Sequence, residues 1–258
     1  MPTQRVNYDQ IAPHYHQRYA NELTGIAREL RALAQAGGGG ECLEVGCGTG
    51  RWFPELQVNA RHVYGLDFSL GMLQQARARD ERFQLTCGDA NDLPFRPATF
   101  NCIVSVNALQ HFADPRAFIV EARRVLRPDG ALALINLDPH TGHDHWYLYE
   151  YFEGTRETDL RRFQTSGVLL DWLIAAGFKR AEWRVAERIH TQITGRAILD
   201  DYFLQKYSSS QLALLTDEMY AAGLNRIQAA LADAEANGTE AKFITDLWDI
   251  MLVGWLAA

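Results

Sequence analysis

Apolar and polar positions alternate in blocks from about residue 41 to 137. Cys42–Val45 reads as a short buried strand, and a helix starts near Trp52 and runs to Gln57. His62–Leu66 reads as a second strand ending at Asp67. Ser69 is a good N-cap for a helix reaching about Asp80, with Met72, Leu73 and Ala76 on one face. Phe83–Cys87 and Phe100–Val106 read as the third and fourth strands. Asp114-Pro115 pairs an N-cap with a first-turn proline, and Phe118, Ala122, Val125 and Leu126 supply the apolar face of the helix that follows. Pro128-Asp129-Gly130 stops it, and Ala131–Leu137 is a fifth strand. This pattern predicts a mostly parallel sheet with helices on both faces, where ligands bind beyond the carboxyl ends of the strands. Glu44, Asp67, Asp89 and the segment after Val106 all fall on that rim.

Outside this block the pattern is less regular. Residues 1–35 read as helical, with His14, Tyr15, His16 and Tyr19 crowded together. Residues 138–165 read as a linker rich in histidine and aromatic residues. Ser166 caps a short helix ending at Gly177, and Glu182–His190 alternates like a strand. Residues 208–236 are helical, with Leu224, Ile227, Leu231 and Ala234 on one face, and Leu247–Trp255 reads as a final strand. Gly37–Gly40 precedes a strand rather than a helix, so it is a link and not a phosphate loop.

A chain of 258 residues has enough length for one large core, and its 47% hydrophobic content places it among globular proteins. The net charge of −7 disfavours nucleic acid as a partner, because phosphate binding needs a basic surface. The first eight residues lack the apolar run of a signal peptide, and Ile250–Ala258 is too short to span a bilayer. Four cysteines without CxxC spacing read as reduced and buried, so the expectation is a cytoplasmic protein, monomeric or homodimeric.

The chemistry concentrates in Leu43-Glu44-Val45-Gly46-Cys47-Gly48-Thr49-Gly50. An apolar strand ends beside an acid, and three glycines follow at alternate positions. Those glycines let a ligand approach the backbone closely. A Walker A loop is absent. A dinucleotide fingerprint from Gly46 puts Arg51 where a small residue is needed for close helix–strand packing, and one from Gly48 puts Phe53 there. S-adenosylmethionine is the third reading. It lacks a pyrophosphate and carries a sulfonium and an ammonium, so acids on the rim favour it. Asp67 lies 21 residues past Gly46, near the spacing at which an acid takes ribose hydroxyls, and Asp89 is placed to accept from the adenine amine.

Here the chain resembles the class I S-adenosylmethionine-dependent methyltransferases, in the group similar to quinone-biosynthesis and other small-molecule enzymes. The resemblance rests on Leu43–Gly50, Gly65–Ser69 with Met72-Leu73, and Gly88-Asp89-Ala90 with Leu93-Pro94-Phe95. Phe100–Phe112, Arg124–Gly130 and the lid-like Tyr8–Tyr15 match as well. It implies a doubly wound, Rossmann-like α/β fold with a seven-stranded sheet whose last strand is antiparallel. It implies one domain over residues 1–258, with a helical lid at 1–35, a cofactor core at 41–137, an acceptor-pocket loop or lid at 138–165 and a helical insert at 195–240 before the last strand. It also implies that Glu44, Gly46, Cys47, Gly48 and Gly50 form the turn at the methionine end. Asp67 would hold the ribose, and Phe68 and Met72 would lie by the adenine. Asp89 and Ala90 would take the adenine amine, and Asn107 would flank the methionine. S-adenosylhomocysteine would be the product.

Methyl transfer is an in-line displacement, and a hydroxyl or carbon acceptor usually needs a base near the methyl group. His111, just past the fourth strand, is the base candidate by position; the alternative is a helix-start histidine without catalytic duty. The candidate acceptor pocket comprises Tyr8, Tyr15, His16, Tyr19, His111, His143, Trp146 and Tyr147. Three histidines between His140 and His145 invite a metal, but no fixed spacing aims them at one point, so no metal is expected. An S-adenosylmethionine-binding protein without transferase activity, and a nicotinamide-dependent dehydrogenase, remain as the other readings.

Overall fold

A computed structural model describes residues 6–13, 15 and 22–257. Its frame is the set of parallel strands β1 (Glu41–Val45), β2 (His62–Asp67), β3 (Gln84–Cys87), β4 (Phe100–Val106) and β5 (Leu126–Leu137), in spatial order β3-β2-β1-β4-β5. Both sides of β1 and β4 are buried, as a parallel sheet covered on two faces requires. The chain reverses its direction of travel between β1 and β4, which opens a crevice at their carboxyl ends.

Helices α1 (Tyr8–Ile11), α2 (Thr24–Ala36), α3 (Phe53–Gln57), α4 (Leu70–Arg79) and α5 (Pro115–Val125) surround the frame. One face of the sheet packs Val104, Ala133 and Met251 against Ile26, Leu30 and Phe53, and the other packs Ile103, Leu132 and Leu252 against Phe118 and Ile119. Ser69 caps α4 by accepting from Met72 N at 3.1 Å, and Asp114 caps α5. The α5 helix ends at Val125, and β5 begins at once, five residues before the strand predicted from Ala131. Pro128-Asp129-Gly130 therefore lies inside extended chain, where the β4–β5 register shifts between Phe100 and Cys102.

Residues 138–165 correct the linker prediction. They hold β6 (His145–Trp146), α6 (Tyr147–Tyr151) and α7 (Thr155–Arg162). Trp146, Tyr147, Leu148 and Phe152 are consumed by a third apolar cluster, so this aromatic run is core rather than loop. Thr165 caps α8 (Ser166–Ala175), one residue earlier than predicted, because the Ser166 hydroxyl donates instead to Asp138 Oδ2 at 2.7 Å.

The sheet closes with β7 (Arg180–Thr194) and β8 (Lys242–Trp255), antiparallel to each other. β8 lies between β5 and β7; two-residue β6 joins it as an eighth strand beside the expected seven. Pairing with β5 covers only Asp249–Trp255. From Asp249 back to Lys242, β8 runs on beyond the carboxyl rim with β7 beside it. This overhang explains the position of the insert at 195–240, which must join the tips of the two strands. The insert carries α9 (Ser210–Ala213) and α10 (Asp217–Ala236), and its Ile198, Leu212, Ile227 and Leu231 complete the third cluster. No helix among the described residues is long and apolar enough to cross a membrane.

Asp159 on α7 ties this lobe together. It is fully buried and accepts from Tyr149 Oη at 2.7 Å, Gln211 Nε2 at 2.7 Å and Arg162 Nη2 at 2.6 Å. Asp159→Ala would leave the buried Arg162 guanidinium without its counter-charge. Urea unfolding is expected to show a loss of about 3–5 kcal/mol.

Candidate functional site

The turn after β1 is built by two backbone conditions. Gly46 and Gly48 have φ of 75° and 52°, the left-handed region that side chains rarely adopt. A Cβ on Gly46 would also lie 2.4 Å from Ala108 Cβ. Gly46 N and Cys47 N donate to Leu66 O at 2.8 and 3.1 Å, which draws the turn over the end of β2. The Asp67 carboxylate completes the tie, accepting from Gly48 N through Oδ2 (2.7 Å) and from Ser69 N through Oδ1 (2.8 Å).

Two adjoining cavities open on this turn. The first, about 340 Å³, is walled by Asp67, Phe68 and Met72 after β2, by Asp89 and Ala90 after β3, and by Gly46, Gly48 and Asn107. Phe68 is 61% exposed, so its ring stands at the mouth. The second, about 410 Å³, contains Glu44 and Cys47 and extends beneath the overhanging strands. Ile189, Thr191 and Ile193 of β7 and Thr245, Leu247 and Asp249 of β8 line it at every second position, the signature of one strand face. Gly46, Gly48, Asn107, Tyr8, Tyr15 and His111 border both cavities.

Most predicted site residues therefore converge, and among the described residues three do not. Gly50 lines neither cavity; its φ of 71° shapes the turn, and it faces the Phe83 ring. Tyr147 is buried in the third cluster, where its hydroxyl donates to Asp201 Oδ2 at 2.6 Å, because α6 turns it away from the chamber that Trp146 lines. His143 lies beside Trp248, with ring centroids 6.2 Å apart, outside both cavities. His140 Nε2 meets Phe163 O at 3.0 Å. Among the described residues no group of three or more histidines, cysteines or acids is placed to hold a metal ion. His14, His16 and Tyr19 lie outside the described residues.

Two acids escaped the sequence reading. Asp9 accepts from Ser69 Oγ at 2.6 Å and Gly71 N at 2.8 Å, latching α1 to the first turn of α4. The Ser69 hydroxyl, then the Gly71 amide, hold its carboxyl below the usual range. Asp249 is 1% exposed and lines the second cavity; among the described residues neither oxygen meets a partner in full hydrogen-bond geometry, although the Asn107 amide is close enough to favour the charged form. An acid inside the apolar run Leu247–Val253 was the available signal.

The electrostatics of this rim are unbalanced. Burial, then the nearby Asp67 charge, pushes the Glu44 carboxyl well up, and Glu44 Oε2 has no partner. Burial also raises Asp67, against the pull of its backbone donors. Burial and the two neighbouring acids raise the Cys47 thiol, leaving it inert. Arg79 pulls Glu44 down, but burial and the Asp67 charge outweigh it, and a positively charged ligand would relieve such an arrangement.

Residues 43–134 match the family described as methyltransferase domain. The chain is 33% identical over 159 residues to the biotin biosynthesis bifunctional protein BioHC of Saccharophagus degradans, covering 60% of this chain and 26% of that protein. It is 28% identical over 209 residues to a demethylmenaquinone methyltransferase of Clavibacter sepedonicus, covering 69% and 82%. Thus the chain spans about a quarter of the first relative's length and most of the second's. Residues 43–134 therefore carry a methyltransferase domain. Among solved structures, the YcgJ protein of Bacillus subtilis shares this fold at TM-score 0.62 and 16% identity, over 91% of this chain and 98% of that one. Haemonchus contortus phosphoethanolamine N-methyltransferase 2, in complex with S-adenosyl-L-methionine, does so at TM-score 0.57 and 17% identity, over 96% and 57%.

Beyond the matched residues, the Asp249 carboxyl is pushed up to about 7, by burial first and by Asp144 and Glu187, against the Asn107 amide and Arg51. The folded state keeps this proton up to about pH 7, whereas the unfolded chain releases it near 3.8. Stability attributable to this group is therefore lost as pH rises across that window. Asp249→Asn removes the loss. Denaturant unfolding should show the variant matching wild type near pH 4 and exceeding it by on the order of 4 kcal/mol at pH 7, at about 1.4 kcal/mol per pKa unit.

Proposed function

We propose that the protein transfers the methyl group of S-adenosylmethionine to a small organic acceptor and releases S-adenosylhomocysteine. The observation that carries this reading is Glu44, a buried carboxylate with one unpartnered oxygen, in a cavity that adjoins the Asp67–Asp89 cavity at a glycine turn. These residues fit a ligand with a cationic end and a nucleoside end. Glu44 and the Gly46–Gly48 backbone would take the methionine end, with Asn107 flanking it. Asp67 retains acceptor capacity beyond its two backbone bonds and would take the ribose hydroxyls. Met72 and Phe68 would enclose the adenine, and Asp89 with the Ala90 amide would read its amine edge. When bound, the cofactor supplies an electrophilic methyl group on a sulfonium.

The protein's own contribution is alignment and exclusion of water. Tyr8, beside the Asp9 latch, and Tyr15 stand over the junction of the cavities, their rings edge to face at 6.2 Å. Tyr8 Oη lies 2.7 Å from His111 Nε2, and Gln110 Nε2 lies 3.2 Å from the same nitrogen. His111 thereby anchors the segment, and Tyr8 must part from it before that nitrogen can act as a base. The relative named for demethylmenaquinone supports an organic small-molecule acceptor.

Asp67→Ala tests the placement of the cofactor. Calorimetric titration with S-adenosylhomocysteine should show affinity weakened by about 1.5–3 kcal/mol, or roughly 10- to 150-fold. Unchanged affinity in a folded variant would count against it.

A further inference from the structure

The second cavity holds a carboxylate that cofactor binding does not use. Asp249 stands where β8 leaves the edge of β5, opposite Leu137, and shares a strand face with Leu247 and Thr245. Glu44 lies on the same side of the sheet, since Cys42 on β1 and Met251 on β8 pack into one cluster. Asn107, which borders both cavities, lies beside Asp249. The carboxylate is therefore at the junction, where donor and acceptor must meet. Buried polar groups are nearly always paired, and one that is not, in a cleft, needs a functional explanation.

The surroundings restrict what it meets. Leu137, Trp146, Phe163, Ile189, Ile193 and Leu247 make the chamber mainly apolar. The Arg51 guanidinium also lines it. This cation stands among the acids Glu44, Asp201 and Asp249, and it favours an acceptor that develops negative charge as it reacts. The charged and titratable groups facing Asp249 are Glu187 on β7, Asp144 before β6 and Arg51; Glu44, His111 and Asp201 share the chamber.

We propose that Asp249 is the general base of this methyltransferase and that its acceptor is a hydroxyl, phenolic or enolic, on an apolar scaffold. The proposal rests on the methyltransferase reading above. The Asp249 carboxylate takes the hydroxyl proton. The acceptor oxygen forms the new O–C bond with the methyl carbon as the C–S bond breaks, and that electron pair stays on sulfur as a neutral thioether. Arg51 offsets the negative charge that develops on oxygen before the bond is complete.

The test uses the full chain, 2-naphthol as the probe and Asp249→Asn, which the stability argument expects to fold. Calorimetry with S-adenosylhomocysteine comes first. Wild type and variant should bind it within about threefold of each other, because Asp249 is not among the residues assigned to the cofactor; failure of wild type to bind overturns the cofactor reading itself. Next, 2-naphthol is titrated into the S-adenosylhomocysteine complex near pH 7, in buffers of differing ionisation enthalpy. Wild type should release part of a proton as Asp249 ionises to accept the naphthol hydroxyl, and the variant none. In turnover, kcat/KM of wild type should rise with pH through about 7. The variant should lose at least 100-fold at pH 7.5, within the usual range for general-base catalysis, and regain about tenfold per pH unit as naphthol ionises in solution. Full turnover by Asp249→Asn, or a loss that pH does not restore, would overturn the base assignment. Wild type that binds S-adenosylhomocysteine but neither binds nor methylates 2-naphthol would overturn the acceptor class.

Discussion

The Asp67 carboxylate is the contact on which the rest of the rim depends. One oxygen holds the Gly48 amide and the other the Ser69 amide, so the turn after β1 and the start of α4 are fixed to one side chain. Ser69 in turn caps α4 through Met72 N and receives the Asp9 latch of the entry segment. A single acid at the end of β2 thus organises the glycine turn, the wall that carries Met72, and the segment that closes over both. The cost is a carboxylate buried close to Glu44. Arg79 pulls the Glu44 carboxyl down, but burial and the Asp67 charge outweigh it. That imbalance is what makes a cationic nucleoside the natural occupant.

The second constraint is the length of the last two strands. Had β8 stopped at Asp249, where β5 ends, the rim would be open to solvent on that side. Its continuation to Lys242 beside β7 provides a floor, and the insert between their tips provides a roof. The chamber is therefore a consequence of strand overhang, and its lining alternates because strands alternate. The same overhang buries Asp249 at the inner end of that floor.

Local signals carried the frame and the cofactor side of the site. Ser69 and Asp114 cap their helices as their spacing to the following residues indicates, and Asp67 and Asp89 lie at strand ends because apolar runs stop there. What the chain did not reveal depends on distant partners. Asp9 has meaning only once Ser69, sixty residues away, is beside it. Asp249 becomes a chamber residue only through its register with Leu137 and the length of β7. The run from Trp146 to Phe152 has no helical periodicity of its own, and its aromatics fold inward because the insert arrives from residues beyond 195 to cover them. Tyr147 and Trp146 are adjacent, yet one turns to Asp201 and the other to the chamber, a distinction set by where β6 gives way to α6.

The account stands on the chemistry of the ligand at the Gly46–Gly48 turn, and competitive thermal melting measures that directly. A ligand that binds only the folded state raises Tm in proportion to the logarithm of its excess over Kd. S-adenosylhomocysteine is expected to raise Tm with the logarithm of its concentration, and a reduced nicotinamide dinucleotide at the same concentrations to leave it unchanged. Stabilisation by the dinucleotide with none by S-adenosylhomocysteine would contradict the account.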